Sequence, residues 1–549
     1  MDVKGKLYYG DNLEVLRNHI SSESVDLIYL DPPFNSNATY NVLFKSPKTG
    51  DSSHSQIQAF DDTWHWGQEA QLTFDDLMKS NNTNVSTLIE ALRRFLGEND
   101  MMAYLVMMTI RLTELHRVLK STGSLYLHCD PTASHYLKLI LDAVFGHESF
   151  RNEIIWKRKT GRGETNHKPN RFGNSADILL FYSKSRFNVF NPQFNMGASG
   201  YQEYIDKFFR FTDENGKRYQ KADLTSPSYR QNLVYDYKGY PAPKKGWAIS
   251  YEKMVEWDKE GRLIFPQNPE GRIRRKRYLD ELRGMPIQNI WADIEMISSQ
   301  SAERLGYPTQ KPVALLERII QASSNEGDTV LDPFCGCGTT IHAAQKLKRN
   351  WIGIDITHLA ISLIENRLKS AFPDVKYDVI GNPKDFEAAR DLALRDKYQF
   401  QWWALSLVGA QPYQNKKRGA DTGIDGLIFF IDSVDGSYSK VIVSVKGGDN
   451  IGPAMIRDLV GTMEREKASI GLFVTLAEPT EAMRREASAR PLYESHLKNK
   501  QRYPSVQLLT IKGLLDGTEE PNYPDIEAKR TPFKKARIES KEEITGRLF

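Results

Sequence analysis

Two apolar runs stop abruptly at Asp-Pro: VDLIYL runs into Asp31-Pro32-Pro33-Phe34, and DTVL runs into Asp332-Pro333-Phe334. A run without polar alternation is expected of a strand buried on both faces, as in a parallel sheet covered by helices. Open α/β sheets place their ligand crevice beyond the carboxyl ends of such strands. Both motifs are therefore expected to fold back onto one sheet, with the middle of the chain as an insertion between them.

The surrounding pattern agrees. KLYYG reads as a strand, Asp11 as the N-cap of the helix NLEVLRNHI, and VDLIYL as the next strand. A polar stretch from about 45 to 97 carries Trp64, His65 and Trp66. A helix is expected over about 99–119, a buried strand at GSLYLHCD and a helix at HYLKLILDAVF. Residues 185–300 interleave Tyr, Lys, Arg, Pro and Gly, with a charge cluster at Arg272, Arg274, Arg275, Lys276 and Arg277. From Pro312 the α/β alternation resumes. Gly381-Asn382-Pro383 breaks it, and another α/β pattern runs to about Leu515, followed by a polar tail. A chain of 549 residues is too long for one core, and two to four domains are expected. The three cysteines, Cys129, Cys335 and Cys337, are too few for a disulfide framework and fit a reduced, cytoplasmic chain. The N-terminus lacks an apolar signal core, and no apolar run approaches the roughly 18–20 residues of a membrane span. The net charge of +4 confines any basic surface to local patches.

The string LDPFCGCGTT follows a strand and opens a helix. Gly336 and Gly338 permit a tight turn and a close backbone approach to a ligand, and the helix start offers free N–H groups. NWIGIDI ends in Asp355, placed to hold ribose hydroxyls. The turn lacks the Gly-Lys-Ser/Thr of a phosphate loop. In Asp31-Pro32-Pro33-Phe34, a carboxylate and a backbone carbonyl can accept both hydrogens of a planar exocyclic amine. They would draw its nitrogen towards tetrahedral geometry as a methyl group arrives. Phe34 can stack on a base flipped from the duplex.

These two strings resemble the DNA N6-adenine and N4-cytosine amino-methyltransferases. The order of motifs, catalytic first and cofactor last, is that of the β-class, over about residues 5–370. The resemblance implies a Rossmann-like α/β sheet and S-adenosylmethionine as methyl donor. It implies catalytic roles for Asp31, Pro32, Pro33 and Phe34. It implies cofactor contacts from Asp11, Thr309, Lys311, Asp332, Phe334, Gly336, Gly338, Thr339 and Asp355. The partner implied is double-stranded DNA, in the cytoplasm at the nucleoid, and a homodimer is compatible. Asp at the head of the tetrapeptide favours adenine, because the cytosine-N4 members more often carry Ser there; cytosine is the alternative. Domains are expected at 1–184 (catalytic part), 185–300 (target recognition), 301–375 (cofactor part), 383–515 and a tail at 516–549. Trp64, His65 and Trp66 fit either a DNA cleft or local packing.

The C-terminal segment holds RGADTGIDGLIFF and KVIVSVKGG. It resembles the Mrr-like nucleases of the PD-(D/E)xK superfamily, which implies Mg²⁺ held at Asp425 beside Lys446. The acid two places before that lysine is replaced by Ser444, a poor metal ligand. Asp458 or Glu464 on the following helix could restore it, and Asp421 is a further acid nearby. Two readings stay open: a Mg²⁺-dependent endonuclease in a restriction-modification or phage-defence enzyme, or a degenerate fold that only binds DNA.

Overall fold

A computed structural model describes residues 3–33, 39–43, 56–61, 65–158, 173–197, 200–268, 270–298, 301, 303–305, 307, 309–413, 423–432, 438–496 and 500–524. Phe34, Trp64, Asp421 and most of the polar tail lie outside the described residues.

The continuous apolar runs form one nine-stranded sheet. Its strands are β1 (Gly5–Tyr9), β2 (Val25–Leu30), β3 (Leu119–Cys129), β4 (Phe150–Lys157), β5 (Ala176–Ser183), β6 (Ile290–Trp291), β7 (Thr329–Asp332), β8 (Asn350–Asp355) and β9 (Tyr377–Ile380). They lie in the order β6-β4-β5-β3-β2-β7-β8-β1-β9. Only β5 runs antiparallel to its neighbours. The expected return of the two Asp-Pro motifs to one sheet is met at its centre. Leu27 and Ile28 of β2 stand opposite Val330 and Leu331 of β7. Every residue of β2 is buried, as an unalternating run requires.

Among the helices of this part are α1 (Asn12–His19), α2 (Gln68–Met78), α3 (Thr83–Leu96), α4 (Asp100–Val118), α5 (Ser134–Phe145), α6 (Val313–Ser323), α7 (Thr339–Lys346) and α8 (His358–Ala371). Asp11 caps α1 as expected, accepting from the Leu13 and Glu14 amides. The stretch 45–97 is less irregular than its polarity suggests. It contains α2 and α3, whose Phe74, Leu77, Val85, Ile89 and Leu92 are buried in the same core as α4. Sparse apolar residues at helical spacing were enough for an amphipathic pair. The third strand also begins at Leu119, earlier than GSLYLHCD suggests.

Residues 192–288 form a separate compact unit. Its four-stranded antiparallel sheet orders Leu263–Ile264, Arg274–Tyr278, Arg218–Asp223 and Phe211–Thr212. Its small core includes Trp247, Met254, Trp257 and Ile273. The basic run falls on a strand, so its side chains do not share one face. Arg275 lies over the Trp257 ring at 4.6 Å and pairs with Glu281 at 3.2 Å, whereas Arg272 and Arg274 are exposed.

The C-terminal sheet comprises β10 (Gln411–Pro412), β11 (Gly426–Ile431), β12 (Tyr438–Lys446), β13 (Ile470–Thr475) and β14 (Val506–Thr510), hydrogen-bonded in that order. It is antiparallel up to β12 and parallel beyond. Helices α9 (Phe386–Arg395), α10 (Lys397–Leu407) and α11 (Pro453–Glu466) belong to this part. No helix among the described residues is long and apolar enough to cross a membrane.

The junction of β2 and β7 is reinforced by Asp26, a carboxylate inside an otherwise apolar strand. Both its oxygens take Lys120 Nζ at 2.8 Å, and Oδ2 also accepts from the Thr329 amide at 2.9 Å. Removing it would leave a buried amide unpaired. Asp26→Ala is expected to cost about 2 kcal/mol of stability, read as a lower urea midpoint with an unchanged slope.

Candidate active site

The four adjacent strands β2, β7, β8 and β1 end at one edge of the sheet, and each delivers an acid there. Asp31 follows β2, Asp332 ends β7, Asp355 ends β8 and Asp11 follows β1. They line one cavity of about 270 Å³ together with Pro32, Pro33, Thr309, Lys311, Phe334, Gly336 and Thr339. Gly338 is not in the lining. It sits behind the turn at φ 72°, where a Cβ would come within 2.7 Å of Ile364 Cγ1.

The turn between β7 and α7 is tied down by the acids. Asp355 Oδ2 accepts from the Gly336 amide at 2.9 Å, and its Oδ1 accepts from the Thr357 amide and hydroxyl, each at 2.9 Å. Asp332 Oδ1 accepts from the Phe334 amide at 3.0 Å. Burial raises the Asp332 carboxyl to about 7 and the Asp355 carboxyl to about 6, against the lowering effect of these hydrogen bonds. A positive-φ glycine turn, the free N-terminus of α7, buried Asp332, half-buried Asp355 and the apolar Phe334 and Ile356 suit a ligand with ribose hydroxyls and a flat apolar base.

Asp31 Oδ2 is held by Lys311 Nζ. Its Oδ1 is buried and has no hydrogen-bond partner among the described residues. An acceptor in that state, open to a cavity, suits an incoming N–H donor.

Two buried groups at this edge carry no motif. Arg111 stands in α4, where every residue from Met102 to Leu112 is buried. It donates to Asp11 Oδ2 at 2.8 Å and Asn12 Oδ1 at 2.6 Å, and Asn12 Nδ2 reaches the Pro333 carbonyl at 2.9 Å. The loops after β1 and β7 are thus fastened to one guanidinium. A lone charge in the apolar stretch 101–113 of the helix was the available signal. The second is a chain across β2, β3 and β5. Tyr29, a cavity residue, meets His128 Nδ1 at 2.9 Å, His128 Nε2 meets Asp177 Oδ2 at 3.1 Å, and Asp177 pairs with Arg158 at 3.2 Å. Burial pushes Asp177 up, but His128 and Arg158 outweigh it and hold the carboxyl below the usual range.

His65 and Trp66 are not part of the cavity lining. Trp66 packs edge-on to Phe74 under the Arg93 guanidinium, which lies 5.0 Å from its ring centre, and His65 bonds Asp100 at 3.1 Å.

The sequence profile of the N6_N4_Mtase DNA methylase family matches residues 25–366. The chain belongs to that DNA methylase family. The type II methyltransferase M.EcaI of Enterobacter cloacae is 30% identical over 363 residues, covering 66% of this chain and 68% of that protein. The StyLTI Mod subunit, a type III restriction-modification enzyme of Salmonella typhimurium, is 28% identical over 62% of this chain; the match spans about half of that subunit, 49%. The solved structure of M1.HpyAVI with S-adenosylmethionine is 15% identical over 66% of this chain and 100% of that chain, with a TM-score of 0.28. The methyl donor of this methyltransferase is S-adenosylmethionine.

A second profile, NACHT-associated inactive Restriction Endonuclease 1, matches residues 397–516. The inactive label of that profile bears on the expected Mg²⁺ site at Asp425 and Lys446. Asp425 does stand at the start of β11 and Lys446 at the end of the adjacent β12. Both Asp425 oxygens, however, accept hydrogen bonds from within the fold. Oδ1 takes the Gln401 side-chain amide, and Oδ2 takes the Val445 amide at 2.6 Å and the Ser444 hydroxyl at 3.3 Å. Asp458 is exposed on α11, and exposed Glu464 pairs with Arg490 at 3.3 Å. Helical spacing turns Ile456, Leu459, Val460 and Met463 inward and leaves those two acids outside. Among the described residues no group of three or more His, Cys, Asp or Glu side chains could hold a metal ion. A hard cation needs several oxygen ligands, and among the described residues neutral Ser444 and Gln401 flank Asp425.

The raised carboxyls give a pH test. A carboxyl at about 7 when folded, and near the ordinary value when unfolded, binds a proton preferentially in the native state. The resulting stabilisation is complete below the unfolded value and is lost as pH rises through about 7. Asp332→Asn keeps the acceptor for the Phe334 amide and cannot ionise. Its Tm relative to the native protein should therefore rise between about pH 5 and pH 8, measured by calorimetry without ligand.

Proposed function

We propose that this methyltransferase acts on the N6 amine of adenine in duplex DNA, with the target base flipped into the cavity. The observation that carries the reading is the buried Asp31 Oδ1, which lacks a partner among the described residues while Lys311 holds Oδ2. In this reading Oδ1 and the Pro32 carbonyl accept the two amine hydrogens, so the nitrogen lone pair turns out of the ring plane. Lys311 fixes the carboxylate in the orientation that leaves Oδ1 towards the amine. S-adenosylmethionine supplies an electrophilic methyl group on its sulfonium. Asp355, Asp332, Phe334 and the 336–339 turn are the residues that would hold it, with Asp11 and Thr309 also in the lining. Phe34, which lies outside the described residues, is assigned by the sequence alone as the stacking face for the base. The choice of adenine over cytosine rests on Asp at position 31.

The unit 192–288 is the target recognition region in this reading. Exposed Arg272 and Arg274 would contact phosphates, and Arg275 serves its own core. The C-terminal domain is a nuclease fold that does not cleave, because Ser444 and Gln401 occupy the oxygens of Asp425. Similarity to M.EcaI and to the StyLTI Mod subunit supports a place in restriction-modification.

One reaction tests these assignments together: purified protein, mixed-sequence duplex DNA, methyl-labelled S-adenosylmethionine and Mg²⁺. The expected result is label in N6-methyladenine after digestion to nucleosides, with the duplex left intact. Label in N4-methylcytosine overturns the adenine assignment. Strand cleavage that is lost in Lys446→Ala overturns the reading of an inert nuclease fold.

A further inference from the structure

A nuclease fold without a metal site could persist for what its surface does. Helix α10 of that domain buries two faces. Phe400, Trp403 and Ala404, at i, i+3 and i+4, belong to the domain's own core. Gln399 and Trp402, at i and i+3, share another face, and that face meets the methyltransferase. Half-buried Trp402 packs against the buried cluster formed by Leu305, Tyr307, Cys337, Leu359 and Leu363. Gln399 Oε1 accepts from the His358 amide at 3.4 Å. That amide is among the first in α8, where N–H groups lack intrahelical partners.

These contacts lie directly behind the cavity. Tyr307 and Cys337 are lining residues. The Tyr307 ring stands over the glycine turn, where a Cβ on Gly336 would be 3.3 Å from its Cε1. His358 follows Asp355 and Thr357, and its ring stacks on Tyr9 at 3.6 Å, just before Gly10 and Asp11 of the lining. Helix α10 thus braces the turn after β7, the turn after β8 and the end of β1.

We propose that the C-terminal nuclease-like domain supports the wall of the cofactor pocket from outside, with Trp402 and Gln399 as positioning residues for S-adenosylmethionine. Trp402 holds Tyr307 and the 335–338 turn in their bound arrangement before the cofactor arrives. Preorganisation of this kind adds affinity by lowering the ordering cost of binding. The proposal rests on the reading of the cavity as the cofactor site.

The test uses the full chain and reads the Kd of S-adenosylmethionine by calorimetry, with kcat and KM on duplex DNA alongside. Trp402→Ala should weaken cofactor binding about ten-fold, and kcat at saturating cofactor should stay within about two-fold of the native value. Trp402→Phe should recover most of the affinity. Tyr398→Ala, which removes an exposed ring on the same helix, should change nothing. If Trp402→Ala fails to fold, Gln399→Ala decides: about three-fold weaker cofactor binding supports the proposal. Native affinity in Trp402→Ala, or in Gln399→Ala where that variant decides, overturns it. If the native chain itself does not bind S-adenosylmethionine, the reading of the cavity has failed, which is a different result.

Discussion

The pairing of β2 with β7 is the contact on which the rest depends. It joins segments separated by most of the methyltransferase sequence, and a parallel pair has no local turn to set its register. Burial on both faces supplies the attraction, and Asp26 adds a directional tie to Lys120 and the Thr329 amide. A slip of one residue would reverse every side chain on β2. With the register held, Asp31 and Asp332 emerge side by side, and β8 and β1 bring Asp355 and Asp11 to the same edge. The acids then shape the pocket they line. Asp355 holds the Gly336 turn, and Arg111 clamps the loop after β1 to that after β7.

Much of this was legible in the sequence because it is local. Unalternating runs mark buried strands, and Asp-Pro and Gly-x-Gly mark where they end. The groups that were not legible are those whose meaning depends on a partner far along the chain. Tyr29, His128 and Asp177 sit on three different strands and look like ordinary core residues until the sheet is assembled. Trp402 and Trp403 are adjacent in sequence yet belong to different cores. Helices α2 and α3 were hidden by their polar faces.

In the proposed reading, the C-terminal domain keeps the geometry of a nuclease site and loses its chemistry. Asp425 and Lys446 still occupy neighbouring strands, but the carboxylate now accepts from Gln401, Ser444 and the Val445 amide. Donors with no negative charge satisfy the oxygens that a cation would need. What remains is a packed α/β body whose helix α10 rests on the methyltransferase.

In the proposed reading one cavity divides its acids between two tasks, with Asp31 for the target amine and Asp355 for the cofactor. Calorimetric binding of S-adenosylmethionine to Asp31→Ala and Asp355→Ala tests it directly, with turnover measured on the same samples. Near-native affinity with a loss of kcat of at least about a hundred-fold is expected for Asp31→Ala, and a loss of affinity for Asp355→Ala. Turnover retained in Asp31→Ala, or undiminished cofactor affinity in Asp355→Ala, would contradict it.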